Sequence, residues 1–448
     1  MLEHLRDLRA RRHRLKSDGM SASMNKKLRV LVFPCGSENA AEIHQALRYS
    51  LHVELFGASS VDDHGRFRFE RYVGGLPKIS DAEFDSAFSR LLVELDIDVV
   101  FATHDSVLDY LAPRAPGMGV TLINGDPQTA AIARRKSATY ACFRDADWAP
   151  HVFQSVEAVK AWPIIVKPDL GQGGQGVTLA NDPQQARAAM DAMQFPVLVE
   201  YLPGEEITVD CFTDRKRRLV WTGPRTRERV RAGITMRSRL LALSPEIEGI
   251  AREINQRLQL RGPWFFQLKA DKDGRWKLLE ISCRVAGTMV AQRARGVNLP
   301  LMAVQDHLGR DLVALDNPHV NLVERSIATR TRLDFAYDSV FVDLDDTLVL
   351  NGHAVPQTMA FLYQSKADGK KVNLITRHAF DVAETLEKAH ISRGIFDQII
   401  VITDGGSKAD HISPDSIFID NHFPERLEVA RKLAIPVLDV DMVEFLIK

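Results

Sequence analysis

The sequence predicts a multidomain protein in which α/β and α+β domains follow one another. The chain has 448 residues, of which 45% are hydrophobic and 26% are charged. A chain of this size can bury large cores and should divide into about three domains. Apolar runs alternate with amphipathic stretches from residue 28 onward, and the same alternation returns after residue 336. Strand pairs joined by polar turns lie between these two regions.

Composition and charge exclude several functional classes. The net charge of −1 gives no overall attraction for nucleic acid or for a membrane surface. The cysteines lack CxxC spacing, which argues against a zinc site or a disulfide framework and suits a reducing cytoplasm. They are Cys35, Cys142, Cys211 and Cys283. No window approaches about 18 uninterrupted apolar residues. We therefore expect a cytoplasmic protein with no nucleic-acid partner and no membrane partner.

The first 125 residues are predicted to contain a tail and one α/β domain. Residues 1–27 are basic with interspersed acids, which favours a disordered or helical tail over a targeting or nucleic-acid-binding arm. In residues 28–125, LRVLVF, HVELFGA and DVVFAT read as strands of a parallel sheet with helices between them. His104 and Asp105 follow the third strand, at the edge where such sheets bind ligands. Substrate contact and helix capping both remain open for these two residues.

A glycine-rich loop in residues 164–178 predicts a phosphate site. The β-branched run before Lys167 reads as a buried strand, and four glycines follow it. These glycines are Gly171, Gly173, Gly174 and Gly176. Without Cβ atoms, their N–H groups can approach an anion closely, and a lysine adds a point charge. Lys136, earlier in the chain, is a second candidate. The order of residues is not that of a P-loop, and a glycine-rich surface turn is the alternative.

Acidic and basic residues after the loop extend this candidate site. Glu200, Glu206 and Asp210 can only accept hydrogen bonds when ionised, as adenine amino groups and ribose hydroxyls require. An arginine-rich segment follows, and guanidinium groups there could clamp a triphosphate or an acidic substrate. Its members are Arg225, Arg227, Arg229, Arg231, Arg237 and Arg239. Nucleic-acid binding is the weaker alternative because the segment lacks interleaved aromatic residues.

A strand pair in WFFQLKADKDGRWKLLEIS predicts a metal site. If Asp271 lies opposite Trp276, then Gln267 faces Glu280 across the pair. Ser282 shares the face of Glu280 because side chains alternate along a strand. Oxygen ligands of this kind, completed by phosphates and water, suit Mg²⁺. Arg284 follows the strand and could reach a transferring phosphoryl group or a substrate carboxylate.

These motifs, in this order, resemble the ATP-grasp superfamily, and most closely its carbamoyl-phosphate-synthetase-like ligases. The resemblance covers residues from about 28 to 315 and implies a pre-ATP-grasp domain over residues 28–125 and an ATP-grasp domain over residues 126–315. A connecting segment over residues 316–335 would follow. The matching features are Lys136, Lys167, the glycine loop, VEYLPGEE, Arg225 with the later RAG, Gln267 and EISCR.

The resemblance assigns roles to individual residues. It places the nucleotide on Lys136 and Lys167 (phosphates), Gly173 and Gly174 (loop), Glu200 and Leu202 (adenine), Glu206 (ribose) and Gln267. It places the metal on Gln267, Glu280 and Ser282, where Ser282 stands in place of the asparagine that the family usually has. Arg225 and Arg284 would act in catalysis.

The implied chemistry is an ATP-dependent carboxylate–amine ligation through an acyl phosphate. The implied cofactors are ATP and Mg²⁺, with Mn²⁺ as an alternative, and the implied partners are a small carboxylate and a small amine. The residues alone support phosphoryl transfer from ATP. A kinase that forms a stable phosphorylated product is therefore the alternative. Association into a homo-oligomer is left open.

The last 113 residues, 336–448, carry a second set of polar residues at strand ends. SVFVDLDDTLVL delivers Asp343 and Asp345, VNLIT ends at Thr376, GGSKADH presents Lys408, and SIFID ends at Asp420. Each polar residue follows or neighbours an apolar run, so we expect all of them at one sheet edge. The two close carboxylates would repel each other without a cation between them.

This order of motifs resembles the haloacid dehalogenase (HAD) superfamily of phosphatases. The resemblance implies a Rossmann-like HAD domain in which Asp343 attacks phosphorus, Asp345 protonates the leaving group, and Thr376 and Lys408 stabilise charge. Mg²⁺ would be held by Asp343, Asp345 and Asp420. About 30 residues separate successive motifs, which leaves no room for a cap domain. The prediction is a bifunctional enzyme, and a non-catalytic regulatory module is the alternative for either part.

Overall fold

The computed structural model describes residues 27–171, 174–231, 233–317, 319–326, 333 and 335–447. The chain divides into two compact units, Met1–Ser326 and Ile327–Lys448. Among the described residues, no helix is both long enough and apolar enough to cross a bilayer.

The first unit begins with a parallel five-stranded sheet. Its strands are β1 (Leu28–Phe33), β2 (Val53–Ala58), β3 (Arg71–Val73), β4 (Val99–Ala102) and β5 (Thr121–Leu122), in the order β3-β2-β1-β4-β5. Its helices are α1 (Glu38–Leu47), α2 (Phe84–Glu94), α3 (Asp105–Leu111) and α4 (Ala115–Met118). The four residues of β4 are all buried, as expected for a strand covered on both faces. The order reverses at β1 and β4, so the loops after them border a crevice where ligands bind.

A four-stranded antiparallel sheet carries the glycine loop. The elements are α5 (Pro127–Arg134), α6 (Lys136–Cys142), β6 (Val152–Phe153), β7 (Ile164–Pro168), β8 (Thr178–Ala180), α7 (Pro183–Asp191) and β9 (Pro196–Glu200). The sheet order is β6-β9-β7-β8. The loop between β7 and β8 contains Gly174 and Gly176, whose φ angles of 75° and 74° lie in the left-handed region that favours glycine.

The larger antiparallel sheet of this unit follows in the chain. The elements are β10 (Glu206–Thr213), β11 (Leu219–Thr226), β12 (Arg229–Arg231), β13 (Ile234–Arg239), α8 (Pro245–Arg257), β14 (Gly262–Ala270), β15 (Trp276–Ser282), α9 (Val290–Ala294), α10 (Leu299–His307) and β16 (Leu322–Glu324). One sheet has the order β11-β10-β14-β15 and a smaller one has the order β12-β13-β16. Trp264 and Phe266 of β14 are fully buried in the same core cluster as Phe84 and Phe88 of α2, which joins this sheet to the first one.

The second unit is a parallel α/β domain. Its elements are β17 (Ser339–Val342), β18 (Val349–Leu350), β19 (His353–Ala354), α11 (Pro356–Ala367), β20 (Lys371–Thr376), α12 (Val382–Lys388), β21 (Gln398–Val401), β22 (Ser416–Ile419), α13 (Phe423–Leu433) and β23 (Val437–Leu438). The five parallel strands have the order β21-β20-β17-β22-β23. Val340 and Val342 of β17 belong to one core cluster and Phe341 to another, because alternate side chains point to opposite faces.

Candidate functional site

A row of polar side chains crosses the β11-β10-β14-β15 sheet. Thr208 of β10 pairs with Arg225 of β11 on one side and with Gln267 of β14 on the other, and Gln267 pairs with Glu280 of β15. The four strands thus place four side chains side by side on one face, about 4.8 Å apart from strand to strand. This row connects the predicted metal ligands with one of the predicted catalytic arginines.

The pairing of Gln267 with Glu280 agrees with the sequence prediction, but the predicted turn register is wrong. Trp276 lies opposite Ala270 rather than Asp271, so the turn between the two strands is one residue longer than predicted. The register then shifts beyond Leu268, where β15 contains an extra residue. A β-bulge of this kind cancels the error and returns Glu280 to its predicted partner.

A cavity of about 890 Å³ lies over this row. Most of the residues predicted from the sequence to bind nucleotide or metal, or to act in catalysis, line it. They are Lys136, Lys167, Gly174, Glu200, Leu202, Glu206, Arg225, Gln267, Glu280 and Arg284. Gly173 lies outside the described residues. A cavity of this size is in the range of nucleotide and cofactor sites.

Lys167 is held at the wall of the cavity by a buried tyrosine. Only 6% of Lys167 is exposed, its Nζ donates to the Tyr140 hydroxyl at 2.6 Å, and that hydroxyl donates to the Leu279 carbonyl at 2.6 Å. Burial lowers the pKa of Lys167 to about 8, with the charge of Lys136 acting in the same direction and Glu280 opposing it. The free lysine therefore lacks a strong counter-charge, which a phosphate would supply.

Lys136 lies beside the glycine loop at the start of α6. Its Nζ is 3.5 Å from the Asp169 carbonyl oxygen, and a Cβ added to Gly171 would lie 3.8 Å from the same Nζ. Burial lowers the pKa of Lys136, while Glu280 and Asp169 oppose the change. Both lysines are thus partly desolvated cations next to backbone that can approach an anion closely.

The predicted metal ligands form a small network that fits a divalent cation. In the orientation that satisfies its neighbours, the Gln267 amide donates to Glu280 Oε1 at 3.3 Å and accepts from Arg227 Nη1 at 3.1 Å. Burial raises the pKa of Glu280, and the charge of Asp105 raises it further. A cation would stabilise this carboxylate. The described residues contain no group of three His, Cys, Asp or Glu side chains suited to a metal, so a magnesium ion here would need oxygens of the nucleotide as well.

Two of the three acidic residues considered for nucleoside contact, Glu200 and Glu206, line the cavity and are ordered by neighbours, whereas the third, Asp210, is fully buried. Glu200 Oε1 accepts from the His151 N–H at 2.7 Å, and the Glu200 N–H donates to the His151 carbonyl at 3.0 Å. Glu206 Oε1 lies 2.6 Å from Arg227 Nε. Leu202, which lies between Glu200 and Glu206 in the sequence, is 4% exposed and also lines the cavity. These residues form a wall with one apolar and two acidic members.

Ser282 does not occupy the place that the sequence predicts for it. Its hydroxyl donates to Asp105 Oδ1 at 2.6 Å, and Arg284 Nε donates to Asp105 Oδ2 at 2.8 Å. Unlike Glu280 and Arg284, Ser282 is not part of the cavity wall. Burial acts to raise the pKa of Asp105, but Arg284 and Ser282 hold it below its usual range. Asp105 thus orients Arg284, a contact between residues 179 positions apart that sequence patterns do not reveal.

Arg225 is part of a buried ion pair. Arg225 is 1% exposed and Asp210 is fully buried, and Arg225 donates to both Asp210 oxygens, from Nε at 2.7 Å and from Nη2 at 3.2 Å. Gln292 Nε2 also donates to Asp210, at 3.1 Å. Arg225 Nη1 has no partner among the described residues. The guanidinium is therefore fixed, and Nη1 is the nitrogen left for a ligand.

The rest of the arginine-rich segment does not form the clamp considered from the sequence. Arg229 and Arg237 both pair with Glu324 of β16, and Arg239 Nε lies 3.2 Å from Glu228. About half of each of these three arginine side chains is exposed. These residues connect the strands of the small sheet at its surface, where ion pairs contribute little to stability.

In the second unit, Lys408 joins two buried carboxylates at the edge of the parallel sheet. Lys408 Nζ lies 2.7 Å from Asp343 Oδ1 and 2.7 Å from Asp420 Oδ2. Their exposed fractions are 3% for Lys408, 6% for Asp343 and 0% for Asp420. Burial raises the pKa of Asp343 to about 6, with Asp420 acting in the same direction and Lys408 opposing it. The nearby Thr376 is fully buried, and its hydroxyl accepts from the His378 N–H at 3.1 Å.

Asp345 stands apart from this buried group. Its side chain is 55% exposed and contacts the His378 ring, with Nδ1 2.8 Å from Oδ1. The predicted metal ligand set requires Asp343, Asp345 and Asp420 to lie together. In the structure, Asp343 and Asp420 both contact Lys408, but the Asp345 carboxylate contacts His378 instead. Two carboxylates at the ends of the neighbouring strands β17 and β22 still fit a magnesium ion, which would share them with Lys408. His378, two residues after Thr376, belongs to none of the motifs predicted from the sequence.

Comparisons with known proteins find similarity to ATP-grasp proteins. Residues 193–329 match a family model described as ATP-grasp in the biosynthetic pathway with Ter operon. A D-alanine–D-alanine ligase of Fusobacterium nucleatum subsp. nucleatum is 29% identical over 105 residues, which are 23% of this chain and 34% of that enzyme. The chain thus spans about a third of the length of this curated relative.

Two solved structures have a similar fold. An L-amino acid ligase from Bacillus licheniformis superposes with a TM-score of 0.52 and 19% identity, covering 64% of this chain and 75% of that one. The biotin carboxylase domain of 2-oxoglutarate carboxylase from Hydrogenobacter thermophilus, solved with MgADP, ADP and bicarbonate, has a TM-score of 0.53 and 15% identity, covering 63% and 70%. The protein is therefore a multidomain α/β protein with an ATP-grasp fold, and its parallel C-terminal sheet forms a separate unit.

Proposed function

We propose that the first unit is an ATP-dependent carboxylate–amine ligase that acts through an acyl phosphate. The observation that carries the proposal is the single cavity that collects Lys136, Lys167, Gln267, Glu280 and Arg284. Phosphoryl transfer needs this combination of cations and oxygen ligands around a transferring phosphate. The similarity to a D-alanine–D-alanine ligase and to an L-amino acid ligase supports the ligase class.

The residues of the cavity divide the work of the reaction. Lys136 and Lys167 bind the phosphates, Glu200, Leu202 and Glu206 bind the nucleoside, and Gln267 and Glu280 hold Mg²⁺. The bound Mg²⁺ supplies charge neutralisation at the transferring phosphoryl group. A substrate carboxylate oxygen attacks the γ-phosphorus, the bond to the ADP oxygen breaks, and Arg284 stabilises the acyl phosphate. An amine then attacks the acyl carbon, loses a proton and displaces phosphate.

A screen of paired small carboxylates and amines, amino acids included, tests the ligase proposal. The full-length protein should release ADP and phosphate only when both substrates are present, and the product should have the mass of the amide. With hydroxylamine in place of the amine, the acyl phosphate should be trapped as a hydroxamate. Lys167→Ala should abolish these signals. A stable phosphorylated acid that accumulates without any amide would instead establish the kinase alternative.

We further propose that the second unit is a Mg²⁺-dependent phosphatase of the HAD type that acts on a related phosphorylated metabolite. The proposal is supported by the parallel strand order β21-β20-β17-β22-β23 and by the contacts of Lys408 with Asp343 and Asp420 at its edge. Asp343 is the nucleophile, Asp345 is the proton donor, and Thr376 and Lys408 stabilise the phosphoryl group. Magnesium-dependent hydrolysis of p-nitrophenyl phosphate that Asp343→Asn abolishes would support it, whereas equal rates in both proteins would refute it.

A further inference from the structure

We infer that His378 is a positioning residue that aims Asp345 at the leaving group of the phosphatase reaction. This inference rests on the proposed phosphatase function of the second unit. The Asp345 side chain is 55% exposed, whereas the His378 side chain is only 8% exposed. An exposed carboxylate on a loop can change rotamer readily, so a buried partner is needed to keep it in one direction.

The ring of His378 contacts both oxygens of Asp345. His378 Nδ1 lies 2.8 Å from Oδ1 and 3.0 Å from Oδ2. On the other side of the ring, Nε2 lies 2.7 Å from the Thr385 hydroxyl oxygen. Both ring nitrogens are therefore occupied, and the ring cannot flip without losing both contacts. The contact orients the Asp345 carboxylate whichever of the two groups holds the shared proton.

Thr385 anchors the ring to a capped helix. The Thr385 hydroxyl donates to the Asp381 carbonyl at 3.1 Å, so its oxygen is left to accept from His378 Nε2–H. Asp381 is the N-cap of α12, and its side chain accepts from the N–H groups of Ala383 at 2.7 Å and Glu384 at 3.2 Å. A chain of contacts therefore connects the capped N-terminus of α12, through Thr385 and the His378 imidazole, to the exposed Asp345 carboxylate.

The same residue is tied to the buried part of the site. The His378 N–H donates to the Thr376 hydroxyl at 3.1 Å, at the end of β20. Lys408, by contrast, contacts Asp343 and Asp420. Two separate devices thus hold the two acids of the reaction, since Lys408 fixes the nucleophile and His378 fixes the proton donor.

The reaction steps predict which substrates should react more slowly when His378 is lost. An Asp343 oxygen attacks phosphorus, the phosphorus–oxygen ester bond breaks, and the leaving oxygen takes the proton of the Asp345 carboxyl group. Water then attacks the phosphorus of the aspartyl phosphate and gives a proton back to Asp345, and phosphate leaves. Misdirecting Asp345 slows ester cleavage in proportion to the basicity of the leaving oxygen. A weakly basic leaving group departs without help.

The test compares two esters of similar size in the full-length protein with Mg²⁺. p-Nitrophenyl phosphate has a weakly basic leaving group, and benzyl phosphate has a strongly basic one. For His378→Ala we expect kcat/KM to fall about 100-fold with benzyl phosphate and less than about threefold with p-nitrophenyl phosphate. His378→Asn, whose amide can still reach Asp345, should recover part of the benzyl phosphate rate. Thr385→Val, which removes the acceptor of Nε2–H, should show a smaller loss with the same substrate preference.

Controls separate positioning from general damage. Asp345→Asn should show the same substrate preference, and adding His378→Ala to it should cost nothing more, because His378 acts through Asp345. His390→Asn is the matched control at an exposed position with a φ of 56°, which asparagine tolerates, and both rates should stay at the wild-type level. Equal losses with both esters in His378→Ala, or a further loss in the double variant, would overturn the role of His378 alone. A wild-type protein that hydrolyses neither ester would refute the phosphatase proposal and the role of His378 together.

Discussion

Nucleotide binding should increase the protonated fraction of Lys167. In the free protein, burial lowers the pKa of Lys167 from 10.5 to about 8. A phosphate oxygen beside the ammonium favours the charged form and returns the pKa toward its ordinary value. Binding of MgADP at pH 8 should therefore take up about half a proton at this site, because about half of the free lysine is neutral there.

The same shift fixes the direction and size of the pH dependence. Only the protonated lysine matches the phosphate, and its fraction in the free protein falls from about one half at pH 8 to about one tenth at pH 9. The apparent Kd for MgADP should thus rise about fivefold over this interval. Below about pH 7 the lysine is almost fully charged, so this contribution to the pH dependence should disappear.

Isothermal titration calorimetry measures the uptake directly. MgADP is titrated at pH 8 in buffers with different ionisation enthalpies, and the slope of the observed enthalpy against that enthalpy gives the number of protons. Lys167→Arg removes the titrating group but keeps a cation, so its slope should be smaller by about half a proton. Lys160→Arg, at an exposed lysine, is the matched control and should keep the wild-type slope. A wild-type slope of zero, or the same slope in Lys167→Arg, would refute the reasoning.

Three further substitutions give distinct outcomes. Glu280→Ala should abolish substrate-dependent ADP release and leave hydrolysis of p-nitrophenyl phosphate at the wild-type rate. Both activities are assayed on the same folded variant, and loss of both would contradict this prediction. Asp343→Asn should abolish phosphatase activity and keep ADP release. Burial raises the pKa of Asp343 from 3.8 to about 6, so its ionisation costs folding free energy; this cost builds up between those two pH values and is complete at pH 7.5, where thermal unfolding of the variant should show an unchanged or higher Tm. Arg225→Met leaves Asp210 as a buried charge without its partner and should lower the free energy of unfolding by about 3–5 kcal/mol. Urea denaturation measures this loss, and a loss below about 1 kcal/mol would contradict the prediction.

The row of polar side chains across the β11-β10-β14-β15 sheet shows what sequence patterns can predict. Period-2 alternation places Gln267 and Glu280 on one face of their strands, and the two residues do pair. The predicted turn between them is one residue too short, and a bulge in β15 restores the predicted pairing. Alternation records the face of a side chain but not the extra residue that a bulge inserts, so this agreement depended on two errors that cancelled.

Contacts between distant segments account for the rest. Asp105 could be read from the sequence as a ligand residue or as a helix cap, whereas the structure shows it oriented between Ser282 and Arg284. The asparagine-to-serine departure at Ser282 was visible in the sequence, but its partner was not. His378 likewise follows Thr376 in an ordinary strand end, and its contact with Asp345 depends on how two loops approach each other. Local patterns carry no information on such approaches.

The small sheet of the first unit has a practical consequence for expressing that unit alone. β16 pairs with β13 through Arg237, Ser238 and Arg239, and it lies only a few residues before the boundary between the units. A gene fragment that stops at residue 315 would omit this strand and leave the hydrogen-bonding groups of β13 open along one edge. Such an edge can recruit a second copy of the protein, so we expect the fragment to precipitate. A fragment that continues to residue 326 keeps the edge covered and should stay in solution.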